Sequence, residues 1–372
     1  MRKFITNPYF KKGLPGDNET DPVSTDVEAV KKLLSLCPKA AETPLAESAK
    51  LSHELGINKL WLKDERDRMG LGSFKALGAA FVIATDAAEN LKSFSKDANW
   101  SSALNGKTYI SASAGNHAIA ASWAAKKLEM SAKVVMRSTA NPYRLKQVKN
   151  EGAEIIITDK LDELFKIAKK LVDEEKRTFI HPFEGLSTSL GTAAIGLEFI
   201  KSVPSLDAVI VSIGGGGLIS GVSAAIKQVN EKCKIFGVEP KGAATMLKSF
   251  SIGNPIQNVI IDSEVDSLSP PMTLPFSYAV CKKYIDEIVT VSDEEIFASM
   301  VILQEESKLA VEPAAAATLS AYIGPLKHKL KNKNVGLLMC GANIDHKSYS
   351  DLLLKGQSYI NKNKTHFENF EI

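Results

Sequence analysis

Beyond Lys107 the chain alternates two patterns: short continuous apolar runs, and longer stretches in which apolar positions recur at every third or fourth residue. KTYISAS, AKVVM and EIIIT precede GNHAIAASWAAKKLE, NPYRLKQVKNEG and DELFKIAKKLVDEE in turn. Later, DAVIVSI precedes GGGGLISGVSAAIKQV, KIFGVE precedes the segment Ala243 to Phe250, and VGLLMC follows near the end. The first pattern predicts strands buried on both faces, the second amphipathic helices that cover them. This alternation implies parallel strands, so the fold class is α/β, with helices wound on both faces. No side-chain pattern recurs at the period of about 20 to 50 residues that marks solenoids. The polar segments before Thr25 and in the terminal INKNKTHFENFEI predict surface arms, and the alanine run Pro313 to Ala317 a close-packed helix turn.

Length and charge narrow the partners. With 372 residues, 44% hydrophobic and 24% charged, the chain can bury a large core, and two domains are expected. Its 46 basic and 43 acidic residues leave a formal charge of +3 without a dense basic block, which argues against nucleic acid as a partner. Cys37, Cys233, Cys281 and Cys340 lack the spacing of zinc or CxxC sites and are expected as free thiols in a reducing compartment. There is no apolar leader core and no apolar run of about 18 residues, so a cytoplasmic protein without a membrane partner is expected.

Four loops carry candidate chemistry. In SIGGGGLISG, Ser212 to Gly221, four glycines follow a strand and open a helix, an arrangement costly in chain entropy unless backbone must approach something closely. N–H groups exposed at a helix N-terminus suit a phosphate monoester, although a tight turn alone would need only a glycine or two. The run matches neither the GxGxxG fingerprint nor a Walker loop, so a monophosphate cofactor fits better. In LKDERDRMGLGSFKALGAA, Lys75 follows a Gly-Ser-Phe turn and starts an Ala-rich helix. Burial there would lower its pKa and supply a free amine for an imine, whereas a helical lysine on its own is commonly a solvated side chain. SASAGNHAIA offers Ser113, backbone N–H groups and the Asn116 amide to a carboxylate, or equally to an ordinary helix cap. LMCGANID ends a buried strand at Cys340, a residue type that often only fills a core. All four loops fall at carboxyl ends of strands, where open α/β sheets bind ligands.

In the order TPL, SFK, SAGNHA, HPF with Gly191 and Thr192, GGGG, VEPAAA and CGAN, from Thr43 to Asp345, the chain resembles the fold type II pyridoxal-phosphate enzymes. That group includes threonine and serine dehydratases, serine racemase, threonine synthase and diaminopropionate ammonia-lyase. The resemblance implies two open wound sheets with helices on both faces, of the tryptophan synthase β-like type. It implies a large cofactor-binding domain of residues 1–80 and 186–372, a small domain of residues 81–185, and a homodimer. Pyridoxal 5'-phosphate is the implied cofactor, held as an imine on Lys75, with Phe74 packed near its ring and Asn116 bonded to its 3'-oxygen. Gly214, Gly215, Gly216 and Gly217 would cradle its phosphate and Cys340 would face its pyridine nitrogen, while Ser113, Ala114, Gly115 and His117 would grip the substrate carboxylate. A thiol does not hold a proton on that nitrogen as a carboxylate does, which suits elimination better than transamination. Lys75, once displaced by the substrate amine, would take the Cα proton; loss of the β-substituent then yields a 2-oxo acid and ammonia.

Departures from the family pattern refine the reading. Racemases carry a serine and diaminopropionate lyases an aspartate where this chain has Ala114, which disfavours racemisation and leaves SAGNHA similar to threonine dehydratases. The stretch LKDERDRMGLGSFKALG, however, is more similar to the diaminopropionate lyases. The expected reaction is therefore α,β-elimination from a small amino acid of the threonine, serine, hydroxyaspartate or 2,3-diaminopropionate type. β-Replacement, racemisation and a non-catalytic binding protein are the alternatives. Of the family's cation site only Glu239 is present, with Thr245 at the later acidic position, so no metal is assigned. With 27 residues after Asp345, no appended regulatory domain is expected. His181, Glu184, Ser187 to Ser189 and Ser269 to Met272 are candidates for the side-chain pocket, and Glu312 for a place beside the cofactor.

Overall fold

The computed structural model describes residues 4–6, 34, 37 and 39–370, apart from 92–99, 105, 114 and 176. Its strands are β1 (Phe4–Thr6), β2 (Leu45–Glu47), β3 (Lys59–Asp64), β4 (Thr108–Ala112), β5 (Ser131–Arg137), β6 (Glu154–Thr158), β7 (Thr178–Ile180), β8 (Ala208–Ser212), β9 (Lys234–Pro240), β10 (Glu287–Val291) and β11 (Asn334–Met339). They form a seven-stranded sheet in the order β1-β10-β9-β8-β11-β3-β2 and a four-stranded sheet in the order β6-β5-β4-β7. Only the outer pairs, β1 with β10 and β2 with β3, are antiparallel. Every other pairing is parallel, as the alternation of runs and helices requires.

β8 and β10 are buried at every position, the condition under which a strand reads as a continuous apolar run. The amphipathic stretches after the runs are helices Asn116–Lys127, Pro142–Asn150, Leu161–Glu175, Gly217–Val229 and Thr245–Ile252. Parallel order places β8, β11 and β3 side by side, so the loops at their carboxyl ends open on one crevice.

The terminal INKNKTHFENFEI is not a surface arm. Helix His346–Lys362 runs into it, and Ile360, Phe367 and Phe370 are buried in the main core. Two aromatic side chains three residues apart supply enough apolar area to dock a stretch that is otherwise polar. Of the expected N-terminal arm, residues 4–6 form an edge strand and the remainder lies outside the described residues.

Beneath the segment leading to Lys75 lies a buried cluster of four charges. Lys63 Nζ donates to Glu198 Oε2 at 2.6 Å and to the Thr43 carbonyl at 2.7 Å. Arg68 makes paired bonds to Glu65, both at 2.7 Å, and reaches both oxygens of Glu198 at 3.0 and 2.8 Å. Two cations and two anions, none more than 7% exposed, therefore neutralise one another. The Glu65 N–H also bonds to the Met339 carbonyl at 2.9 Å, fastening the segment to the end of β11. Such clusters contribute little net stability when complete, but losing one member strands a buried charge. Glu198→Leu is expected to cost about 3 to 5 kcal/mol in urea unfolding, whereas Lys308→Ala, at the exposed pair with Glu305, is expected to change stability by under about 1 kcal/mol.

Candidate active site

Three backbone contacts fix the loop that presents Lys75. Ser73 forms an isolated bridge with Gly341, the Phe74 N–H donates to the Cys340 carbonyl at 3.0 Å, and the Ala342 N–H donates to the Gly72 carbonyl at 2.9 Å. Gly72 has a φ of +75°, and a Cβ there would lie 1.9 Å from Asn343 Oδ1, so no other residue fits. Helix Lys75–Leu91 then starts at the lysine itself. Lys75 Nζ points into the crevice and donates to the Pro182 carbonyl. Burial brings its amine down from 10.5 to about 8, against a smaller opposing effect of Cys340.

A cavity of about 510 Å³ opens around this amine. Lys75, Phe74, Asn116, Gly214, Gly215, Gly216, Gly217 and Cys340 all line it, as do Ser113, Gly115 and His117. Ala114 lies outside the described residues. At one end the glycines pass so close to Phe183 that a Cβ on Gly215 would lie 2.1 Å from the ring and one on Gly217 2.7 Å from the Phe183 carbonyl oxygen. Helix Gly217–Val229 begins there, aiming unbonded N–H groups and the positive end of its dipole at the cavity.

At the other end Asn116 Nδ2 donates to Glu312 at 2.8 and 3.1 Å, while Asn116 Oδ1 accepts from Asn343 Nδ2 at 2.8 Å. Glu312 also accepts from the Asn343 N–H at 2.7 Å. Its carboxyl is pushed up by burial, with the Arg144 guanidinium acting in the opposite direction. Burial likewise raises the Cys340 thiol, chiefly by excluding water and further by the nearby Glu312 carboxylate, so the sulfur stays protonated. The two histidines are neutral: burial, and then the Lys75 charge, lowers each to about 3. His117 is hydrogen-bonded through Nε2 to the Ile180 carbonyl at 2.9 Å, which leaves its backbone at the helix start to face the cavity.

The expected side-chain pocket is only partly assembled. Ser269, Pro270, Pro271 and Met272 line the cavity. His181 does not line the cavity: it stacks on Phe165 at 5.3 Å and packs against Phe183 at 4.6 Å, and those two rings face the cavity in its place. Glu184 instead accepts from the N–H groups of Phe276 and Ser277 at 2.7 and 3.0 Å, capping helix Pro275–Tyr284, and Ser187 to Ser189 do not line the cavity. Glu239 is also a cap, its two oxygens each accepting an N–H at 2.8 Å from Met246 and Leu247. Among the described residues no three metal-ligating side chains converge.

Among the cavity residues without a signal in the candidate loops, two form an ion pair. Arg144 and Asp266 meet at 2.8 Å across the crevice. Arg144 follows the Asn141-Pro142 cap beyond the carboxyl end of β5, so the strand-end rule applied to every strand would have reached it. Asp266, in a loop without pattern, gives no such signal.

Comparison with known proteins agrees with this geometry. Residues 36–341 match the family model described as pyridoxal-phosphate dependent enzyme. A phenylserine dehydratase of Ralstonia pickettii is 44% identical over 238 residues, which cover 64% of this chain and 73% of that one. A threonine dehydratase of Nicotiana attenuata is 33% identical over 308 residues, 82% of this chain but 49% of that one, so the match spans about half of that relative. The solved structure of the processed form of threonine deaminase isoform 2 from Solanum lycopersicum superposes with a TM-score of 0.79 at 26% identity, covering 94% of this chain and 98% of that one.

The Lys75 amine is testable without any ligand. Reductive methylation of the cofactor-free protein, followed at the Lys75 peptide, is expected to be half-maximal near pH 8, since the ammonium present at lower pH does not react. A midpoint matching the exposed lysines would contradict the burial argument.

Proposed function

The chain belongs to the pyridoxal-phosphate dependent enzymes, and on that footing we propose that it is an ammonia-lyase of the dehydratase type. It catalyses α,β-elimination from a small β-hydroxy or β-amino L-amino acid and releases a 2-oxo acid and ammonia. The observation that carries this reading is the buried, readily deprotonated Lys75 amine facing a glycine cradle across one cavity.

The residues present fit pyridoxal 5'-phosphate. Gly214 to Gly217 and the start of helix Gly217–Val229 suit its phosphate, because the glycines line the cavity where the helix begins, and at Gly215 and Gly217 a Cβ would collide with Phe183. Of the residues lining the cavity, Asn116, whose Nδ2 now donates to Glu312, would be the donor for the 3'-oxygen, Phe74 would pack near the ring, and Cys340, a neutral thiol, would be the partner of the ring nitrogen. When bound, the cofactor supplies an electron sink for the electrons of the Cα–H bond. Lys75 is the residue that would hold it covalently, and its Nζ, when free, would be placed to take the Cα proton. Ser113, Gly115 and the first-turn N–H groups of Asn116 and His117 orient the substrate carboxylate. Ala114 brings no side-chain acid to the loop, which speaks against racemisation.

Phe165 and Phe183 line the cavity and His181, packed against both rings, is uncharged, so β-hydroxy substrates with apolar β-substituents, threonine- or phenylserine-like, suit the site better than β-amino or β-carboxy ones. We read residues 1–80 with 186–372 as the large domain and 81–185 as the small one. The protein works as a cytoplasmic homodimer; among the described residues no helix is long and apolar enough to cross a membrane.

The test is to reconstitute the protein with pyridoxal 5'-phosphate, record its absorbance, and offer amino acids one at a time. Equimolar ammonia and 2-oxo acid from a β-hydroxy amino acid are expected. Lys75→Ala is expected to lose both the band of the lysine-bound cofactor and the reaction, by about 10³-fold or more. Cofactor binding without ammonia from any candidate would overturn the assigned reaction.

A further inference from the structure

Arg144 is a guanidinium lodged in the cavity, 9% exposed, on the helix that follows β5. Its three contacts are unequal. Nε faces the Asn343 carbonyl at 3.4 Å, and Nη2 stands 3.6 Å from Glu312 Oε2, beyond hydrogen-bond distance. Glu312 is already occupied by Asn116 and by the Asn343 backbone. The short contact is Nη1 to Asp266 Oδ2, at 2.8 Å.

Those two partners differ in what they stand to lose. The Asp266 side chain is 71% exposed and that of Arg144 11%. An exposed carboxylate leaves an ion pair for water at little cost, whereas a buried guanidinium left with only the longer contact to Glu312 at 3.6 Å favours another anion in hydrogen-bond reach. Arg144 also abuts the loop proposed to hold the substrate carboxylate, since a Cβ on Gly115 would lie 3.5 Å from Nη1. The start of helix Asn116–Lys127 and the guanidinium thus flank one patch of the cavity, which Ser113, Arg144 and Asp266 all line.

We propose that Arg144 is a ligand of the substrate's α-carboxylate and that Asp266 is its placeholder, displaced when the substrate enters. The inference rests on the reading that an amino acid occupies this cavity, and adds the residue and the exchange that admit it. One carboxylate replaces another, so the buried cation is paired throughout, and the planar fork of arginine accepts the newcomer through two parallel bonds.

The experiment titrates holoprotein with glycine, which has no β-substituent to lose, and with glycinamide, which has no carboxylate, following the absorbance of the bound cofactor. Asp266→Asn is expected to tighten glycine by about threefold or more, because a competing anion is removed. Arg144→Gln is expected to weaken glycine by about tenfold or more while leaving glycinamide unchanged, and Asp266→Asn added to Arg144→Gln is expected to bring no gain. Arg144→Lys, which keeps the charge but loses the fork, is expected to fall between. Weaker glycine binding in Asp266→Asn would overturn the proposal and make the pair a plain latch; so would equal losses for glycine and glycinamide in Arg144→Gln. Thermal unfolding of each variant separates loss of fold from loss of binding. Because glycine undergoes no elimination, these outcomes hold or fail independently of whether any amino acid yields ammonia.

Discussion

Keeping the Lys75 amine out of water is the constraint that the rest of the site obeys. A lysine in water holds its proton firmly and is a poor nucleophile, and desolvation is what loosens it. The surroundings must then contribute little charge of either sign near the nitrogen. A carboxylate close by would restore the proton, and a second cation would oppose it. Cys340 is a protonated thiol, and His117 and His181 are neutral rings held by hydrogen bonds to backbone. The one buried carboxylate in the cavity lining, Glu312, is balanced by Arg144 and by amide donors at the far end. Charge in the cavity is thus sorted by position, with a soft amine at one end and a compensated ion pair at the other.

The same logic accounts for the four charges below the loop. Lys63, Glu65, Arg68 and Glu198 come from β3, its following loop and helix Leu186–Ser202, and join those elements with short bonds. Hydrophobic residues of similar volume would fill the space as well, but without the directional bonds that set the path from β3 to Lys75. Gly72 completes that path by letting Asn343 approach to within a distance that no side chain would allow. The Lys75 amine is thereby placed on a firmly bonded base.

Much of this was legible in the sequence. The α/β class followed from apolar runs alternating with amphipathic stretches, and the glycine run, Lys75, Asn116 and Cys340 followed from the strand-end rule. Those signals are local, each a property of a few adjacent residues. Relations between distant segments were not legible: the partnership of Lys63 and Arg68 with Glu198, or of Arg144 with Asp266, depends on tertiary contacts across more than one hundred positions. Glu184 misled for a related reason, since a carboxylate near a loop looks the same in sequence whether it faces substrate or caps a helix 92 residues on. The C-terminal segment misled because its polar composition hid two aromatic anchors, Phe367 and Phe370.

Everything proposed for the site depends on Lys75 being the residue that holds the cofactor. The most direct test is borohydride reduction of the reconstituted protein, followed by proteolysis and mass spectrometry of the peptides. A single stoichiometric pyridoxyl group is expected on the peptide containing Lys75. A pyridoxyl group on any other lysine, with the Lys75 peptide unmodified, would contradict it.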